Sequence, residues 1–450
     1  MKKKLTKSHV VFEQHDRAAI LHAKKILFRN ASIVDGQENF TASFDMLIIN
    51  GKIAELKPNV EVPADFDGQV FDLENKLVFP GFLDMHVHFR EPGREDEETI
   101  LSGARAAMTG GFTAACTMPN TQPATDNKEI VEYIQDQVKN HLLNVYPIAA
   151  ITRGQKGAEL VEIAELIDAG AVAFSDDGVS VADSLVLRRA MEYTRMFDVP
   201  IIEHCEDAAL AAGGAMHEGF MSTKLGIPGI PSIAEDLVVA RNIMLAEYTQ
   251  CKIHIAHVSS AGAVELIRRA KDKGVQVTAE VAPHHFTLTD ETISKFDANY
   301  KMNPPLRSRD HVEALITGLK DGTIDAIATD HAPHSIEEKE AEFEAAPFGI
   351  IGLETAVGLV VKQLVEPGIF TWQQVVEKMS LNPYKIIGIT GPAIKVGEAA
   401  NLTIIDPEKK WMVDKTKFKS RSQNTPFNGW ELKGKAAMVL NKGYLFSIDI

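Results

Sequence analysis

From residue 81 to residue 329, short apolar runs alternate with stretches of helical spacing, and this alternation restricts the fold more than any other feature of the chain. The strand-like runs are 81–89, 112–117, 144–151, 171–175, 200–204, 252–257, 275–281 and 325–329. Between them apolar residues recur at helical intervals, as at Leu160, Ile163, Ala164 and Ile167. The run Ala104-Arg-Ala-Ala-Met-Thr-Gly-Gly closes with the glycine expected at a helix C-terminus. A chain that alternates β and α units builds a parallel sheet. Eight such units predict an α/β fold, a (β/α)8 TIM-type barrel, whose usual size is ~250 residues or more. A doubly wound open sheet competes, but no Gly-x-Gly-x-x-Gly follows the first strand.

Both flanks of this middle are β-rich. Ile26-Leu-Phe-Arg-Asn-Ala-Ser-Ile-Val reads as a strand. Met46-Leu-Ile-Ile, Asn50-Gly51 and Lys52-Ile-Ala-Glu-Leu read as a hairpin, because Asn-Gly supplies the positive φ angles of a type I′ turn. Leu402-Thr-Ile-Ile, Ala437-Met-Val-Leu and Tyr444-Leu-Phe, the last two separated by Asn441-Lys-Gly443, repeat the pattern. The two ends are expected to pair into one small β-sandwich domain, 26–80 plus 392–450, around a barrel at 81–391. Residues 1–25 read as a polar extension without an evident function. Met1-Lys-Lys-Lys imitates a secretion signal, but Glu13, Asp16 and Arg17 interrupt the apolar segment that should follow.

No apolar run reaches the ~18 residues of a membrane span. With 47 Lys and Arg against 62 Asp and Glu the net charge is −15, which gives no global attraction to nucleic acid or an anionic membrane. The three cysteines, Cys116, Cys205 and Cys251, form no Cys-x-x-Cys pair and argue for a reducing cytoplasm. Cys205 reads as an inert strand residue.

Nine of the 15 histidines lie at the ends of the predicted strands or just beyond: His86, His88, His204, His254, His257, His284, His285, His331 and His334. In a barrel the C-terminal strand ends converge on one face, and that face carries the active site. In Asp84-Met-His86-Val-His88 the two histidines project together, because residues two apart in a strand share a side. Paired imidazoles are half of a site for Zn²⁺ or a similar ion. His204 and His257 end the fifth and sixth strands, and Asp330 follows the eighth. Each alone reads as a structural residue, Asp330 as a helix N-cap. Together they need a common reason, and a metal supplies it. Ser175-Asp176-Asp177-Gly178 follows the fourth strand. Its carboxylates could make a turn, or one could bridge two cations; spacing does not choose between Asp176 and Asp177.

These motifs resemble the amidohydrolase superfamily through Leu77-Val-Phe-Pro-Gly-Phe-Leu-Asp-Met-His-Val-His. Within it, Phe89-Arg90-Glu-Pro-Gly, Thr117-Met-Pro-Asn120-Thr and Ala328-Thr-Asp-His-Ala-Pro-His resemble the class I dihydroorotases, from about residue 26 onward. The resemblance implies reversible, metal-dependent hydrolysis of the cyclic amide of L-dihydroorotate to N-carbamoyl-L-aspartate. It implies His86, His88, Asp177, His204, His257 and Asp330 as ligands of one or two Zn²⁺ ions, bridged by Asp177, with Asp330 also moving the proton. Phe174-Ser-Asp-Asp-Gly lacks the strand-four lysine of hydantoinases and allantoinases, which weakens those alternatives. His88, Arg90, Asn120, Asn303, His334, Phe348 and Gly349 match substrate-contacting positions. Taken alone, Arg90 could make a surface ion pair and Asn303 a turn. The acidic stretch 335–347 is either a solvated helix or loop, or a mobile lid. Expected partners are a small-molecule substrate, a second copy in a homodimer, and aspartate transcarbamoylase. A non-catalytic scaffold for that enzyme is a third reading, although such copies lose metal ligands.

Overall fold

The computed structural model describes residues 20–36 and 43–448. Each of the eight apolar runs contains a strand: β1 (Phe82–Val87), β2 (Phe112–Thr117), β3 (Asn144–Ala149), β4 (Ala173–Phe174), β5 (Ile201–Glu203), β6 (Ile253–Ile255), β7 (Val277–Val281) and β8 (Ala326–Ile327). They pair in parallel and in chain order. A Val87–His331 bridge brings the first strand against the last, and the His88 amide donates to the His331 carbonyl at 2.9 Å. Asp84 reinforces the closure by accepting from the Thr329 amide at 3.0 Å. The sheet is therefore a barrel rather than an open doubly wound sheet.

Small side chains from successive strands fill its interior, among them Ala114, Ala173, Ala256, Ala326 and Ala328, with Tyr384 and Ile387 packed against them. Outward residues such as Phe112, Ile201, Ile253 and Ile255 join a second core shared with the helices. The helix Ile100–Thr109 ends at Gly110, but the left-handed conformation falls on Gly111, with φ 94°. The helix expected from Leu160 begins only at Ile163, because Leu160 bridges Thr152 instead.

The two β-rich flanks meet in one nine-stranded sheet. Leu77–Pro80 lies beside Leu402–Met412, which joins the N-terminal strands to the C-terminal ones. Ile26, Phe28 and Ile48 from one half share an apolar cluster with Leu402, Ile404 and Leu440 from the other. In the predicted hairpin Asn50 and Gly51 take φ of 51° and 75°, as a type I′ turn requires. Ile20–His22, within the stretch read as an extension, instead forms an edge strand on Tyr444–Phe446. Lys25 of the same stretch already opens the next strand, Lys25–Ile33, and residues 1–19 lie outside the described residues. Sheet and barrel are joined by polar contacts: the Phe82 amide donates to Thr403 Oγ1 at 3.1 Å, and that hydroxyl donates to the Gly111 carbonyl at 2.6 Å. A Cβ at Gly81 would lie 2.0 Å from Asn401 Oδ1 and 2.1 Å from Thr113 Oγ1, so only glycine fits this junction.

Beyond β6 a buried ion pair braces the barrel rim. Arg307 Nη2 lies 3.1 Å from Glu235 Oε2, and Arg307 Nε donates to Ser259 Oγ at 2.8 Å. Burial opposes the Glu235 charge, but Arg307 and donors from Ser259 and Ser260 hold its carboxyl below the usual range. That contribution is present above the ordinary carboxylate range and is lost as pH falls through the folded-state value. Arg307→Met leaves Glu235 charged, buried and unpaired. We expect a loss of about 3–5 kcal/mol in urea unfolding at neutral pH; a change below about 1 kcal/mol would mean that the pair contributes no more than a surface bridge.

Candidate active site

The C-terminal ends of the strands bring together four imidazoles and two carboxylates that are far apart in sequence. His86 Nε2 lies 3.3 Å from Asp177 Oδ1 and 3.4 Å from Asp330 Oδ1. His88 Nε2 lies 3.6 Å from Asp177 Oδ2 and 3.1 Å from Asp330 Oδ1. His257 Nε2 lies 3.7 Å from Asp177 Oδ1 and 2.8 Å from His204 Nδ1. All six side chains are buried. They form three overlapping triads, His86–His88–Asp177, His86–His257–Asp330 and Asp177–His204–His257. Asp177 belongs to two of them and spans the histidines of β1 and those after β5 and β6. Asp176 turns the other way, accepting from the Ile151 amide at 2.8 Å and the Thr152 amide at 3.1 Å.

The donor set fits divalent cations. His86 Nε2 and Asp177 Oδ1 are fully buried, yet neither has a hydrogen-bond partner. Burial works against every charge here, but the cluster overrides it. Asp177 and Asp330 are held well below the carboxylate range by neighbouring histidines, and the two aspartates drive His86 upward. Positive charge is thus favoured at the spot these six side chains surround.

Surrounding groups fix these side chains in place. His86 Nδ1 faces Glu280 Oε1 at 2.7 Å, and His254 Nε2 lies 3.2 Å from Glu280 Oε2. Burial raises the Glu280 carboxyl, but His254 and His86 pull it down to about 2. A carboxylate behind a ligating imidazole sets its tautomer and orientation. Asn120 Oδ1 meets His88 Nδ1 at 2.8 Å, and its amide donates to Asp177 Oδ2 at 3.4 Å. Glu280 was the residue that sequence reasoning missed. Its signal is the single charged side chain in β7, Val-Thr-Ala-Glu-Val.

Beside the cluster opens a cavity of about 250 Å³. His88, Arg90, Asn120, Asn303, His334 and Phe348 line it, together with Asp177, His204, His257 and Asp330. Gly349 sits behind that wall, where a Cβ would meet His334 Cδ2 at 2.6 Å. Its amide donates to the Lys301 carbonyl, and its carbonyl accepts from Lys339 Nζ and Asn424 Nδ2. Besides His334, which lines the cavity, four of the nine strand-end histidines take no part in the cluster. His254 backs Glu280, His285 bonds the Pro304 carbonyl, His331 faces Glu98, and His284 sits beside His285. Cys205 is buried against Asn242, its thiol pushed up by burial, and it belongs to none of the ligand triads. The acidic stretch after β8 folds into a short helix, Ile336–Lys339, capped by Ser335.

Comparison with known proteins decides the family. The chain is 50% identical over 421 residues to the dihydroorotase of Syntrophus aciditrophicus, covering 93% of this chain and 98% of that protein. It is 52% identical over 410 residues to the dihydroorotase of Pelotomaculum thermopropionicum, covering 91% and 95%. The chain belongs to the dihydroorotase family. The family model described as dihydro-orotase-like matches residues 75–263, which run from just before β1 to just beyond β6 and include five of the six clustered ligand candidates. Among solved structures, the L-hydantoinase of Arthrobacter aurescens superposes with a TM-score of 0.82 at 25% identity, covering 93% of this chain and 95% of that one. This dihydroorotase-family chain is thus a cyclic amidohydrolase with the barrel-plus-sheet architecture of its hydantoinase neighbours. Among its described residues no helix is long and apolar enough to cross a membrane.

Proposed function

We propose that the chain hydrolyses the cyclic amide of L-dihydroorotate reversibly to N-carbamoyl-L-aspartate, running toward ring closure in cytoplasmic pyrimidine synthesis. One observation carries this reading: the His/Asp cluster opens onto a cavity that Arg90, Asn120 and His334 also line. The cluster suits an amide under attack, and these three residues a carboxylate on the same small ring. We assign His86, His88, Asp177, His204, His257 and Asp330 to one or two Zn²⁺ ions, with Asp177 shared if there are two. When bound, such ions polarise the attacked carbonyl and supply hydroxide near neutral pH.

The chain's own groups do the rest. Asp330 accepts the proton of the attacking water and delivers it to the departing ring nitrogen. Arg90 offers a planar fork to the substrate carboxylate, and Asn120 adds a donor. Asn303, His334 and Phe348 complete the pocket, with Gly349 behind them. Arg90→Ala is expected to raise KM about 10- to 100-fold with a smaller effect on kcat, the equivalent of ~1.5–3 kcal/mol of charged hydrogen bonding. An unchanged KM would remove Arg90 from the carboxylate role.

The proton balance sets the pH response. Ring closure turns N-carbamoyl-L-aspartate dianion plus one proton into dihydroorotate anion plus water, so Asp330 must take up that proton first, against the histidines that hold its carboxyl low. Initial rates of closure should therefore gain at lower pH and rates of hydrolysis at higher pH; opposite trends would count against Asp330. The deciding experiment is metal analysis of the purified protein with assays in both directions, on dihydroorotate and on hydantoin, with and without added aspartate transcarbamoylase. Turnover of hydantoin without dihydroorotate would favour a hydantoinase; no turnover until the partner is added would make the chain a dependent subunit. A homodimer belongs to the same proposal and is read by light scattering.

A further inference from the structure

Arg90 and His334 stand side by side at the cavity wall, and one buried carboxylate joins them. Glu97, 2% exposed, places Oε1 2.9 Å from His334 Nδ1 and Oε2 3.3 Å from Arg90 Nε. Its place is fixed from behind. The Glu97 amide donates to the Arg94 carbonyl at 3.0 Å, and its carbonyl accepts from Ser422 Oγ at 2.8 Å. Arg94 Nη2 lies 3.1 Å from Glu97 Oε1 and 2.9 Å from Glu338 Oε1. A guanidinium therefore already fills the space that Glu97, His334 and Glu338 would otherwise offer to a cation.

From this geometry we infer that Glu97 is a positioning residue that sets the substrate-carboxylate pocket by holding Arg90 and His334 at once. The inference rests on the substrate reading above. Arg90 spends Nε on Glu97 and on the Pro333 carbonyl at 3.2 Å, which keeps its two terminal nitrogens for another partner. A fork of that kind matches a carboxylate. His334 gives Nδ1 to Glu97 while Nε2 meets the Phe348 carbonyl at 2.7 Å, so its ring is pinned at both edges. Without the carboxylate, the Arg90 guanidinium would lose its buried counterion and His334 Nδ1 its partner, and both side chains would be free to shift. With it, the wall keeps the geometry that an anionic ring substituent completes. The adjacent Glu98 faces the other way, toward His331 at 3.3 Å and the Arg421 amide at 3.1 Å, so the pair anchors the segment from both sides.

The test is steady-state kinetics of Glu97→Gln and Glu97→Asp beside the native protein, in both directions, with metal content and thermal unfolding measured on each. Glu97→Gln should raise KM for L-dihydroorotate and for N-carbamoyl-L-aspartate by about tenfold or more, with kcat within about threefold. Glu97→Asp keeps the charge but retracts it, so its KM should lie between the two; it also carries the test if the glutamine variant does not fold. In an Arg90→Ala background the Glu97 substitution should add much less than it does alone. A purely structural role would lower the active fraction, and hence kcat, at constant KM. That result, or full additivity with Arg90→Ala, overturns the inference. Failure of the native protein to act on dihydroorotate would instead overturn the substrate reading, which keeps the two apart.

Discussion

Asp330→Asn should lower turnover by about 10²–10⁴-fold, the usual contribution of a positioned proton carrier, while leaving the fold in place. Asp330 is buried and lies 3.1 Å from His88 and 3.4 Å from His86, so the substitution falls at the centre of the cluster. An amide of the same shape cannot take up and return a proton. Asparagine is also the replacement this backbone accepts. Asp330 has φ 48°, a region that Asn and Asp tolerate better than other side chains. Alanine would add strain and blur the comparison. Circular dichroism and thermal unfolding check the fold, and initial rates in both directions check the loss. Turnover within about tenfold of the native rate would exclude Asp330 as the proton carrier.

Stripping divalent cations with a chelator should be almost as severe. Several kcal/mol of transition-state stabilisation disappear with the ions, which corresponds to a loss of roughly 10³-fold or more. Stability should fall as well, by about 3 kcal/mol if the free ion had stood at 100 times its Kd. The chain should nonetheless stay folded, because without a cation His86 is driven toward its protonated form between Asp177 and Asp330. Adding back Zn²⁺ should restore both readings. Full activity in protein that elemental analysis shows to be metal-free would defeat the metal assignment.

The barrel was legible because its signal is periodic: each strand announces itself by a local apolar run, and eight in succession leave few closed arrangements. The edge strand Ile20–His22 was not, because three residues carry no period and their partner lies at Tyr444–Phe446. Asp177 could not be chosen over Asp176 from spacing. The choice depends on how the chain turns after β4, which lets the Ile151 and Thr152 amides capture Asp176. Position at a strand end was likewise too coarse for His254, whose ring points at Glu280 and Thr278. Glu97 was invisible for a related reason. A carboxylate just before a helix is ordinarily a solvated first-turn charge, and its partner His334 is 237 positions away.

The mouth of the cavity also leans on residues that come after the barrel. Asn424 accepts from the His334 amide at 3.1 Å and donates to the Ala332 carbonyl at 2.9 Å, while Ser422 fixes the backbone of Glu97. Domains generally fold from the N-terminal side as they leave the ribosome. A nascent chain that has emerged only through His334 would carry all six clustered side chains, yet the wall around Arg90 and His334 would lack its supports. Binding of metal and recognition of substrate would then mature at different moments of synthesis, the second waiting for the segment that ties the barrel to the sheet.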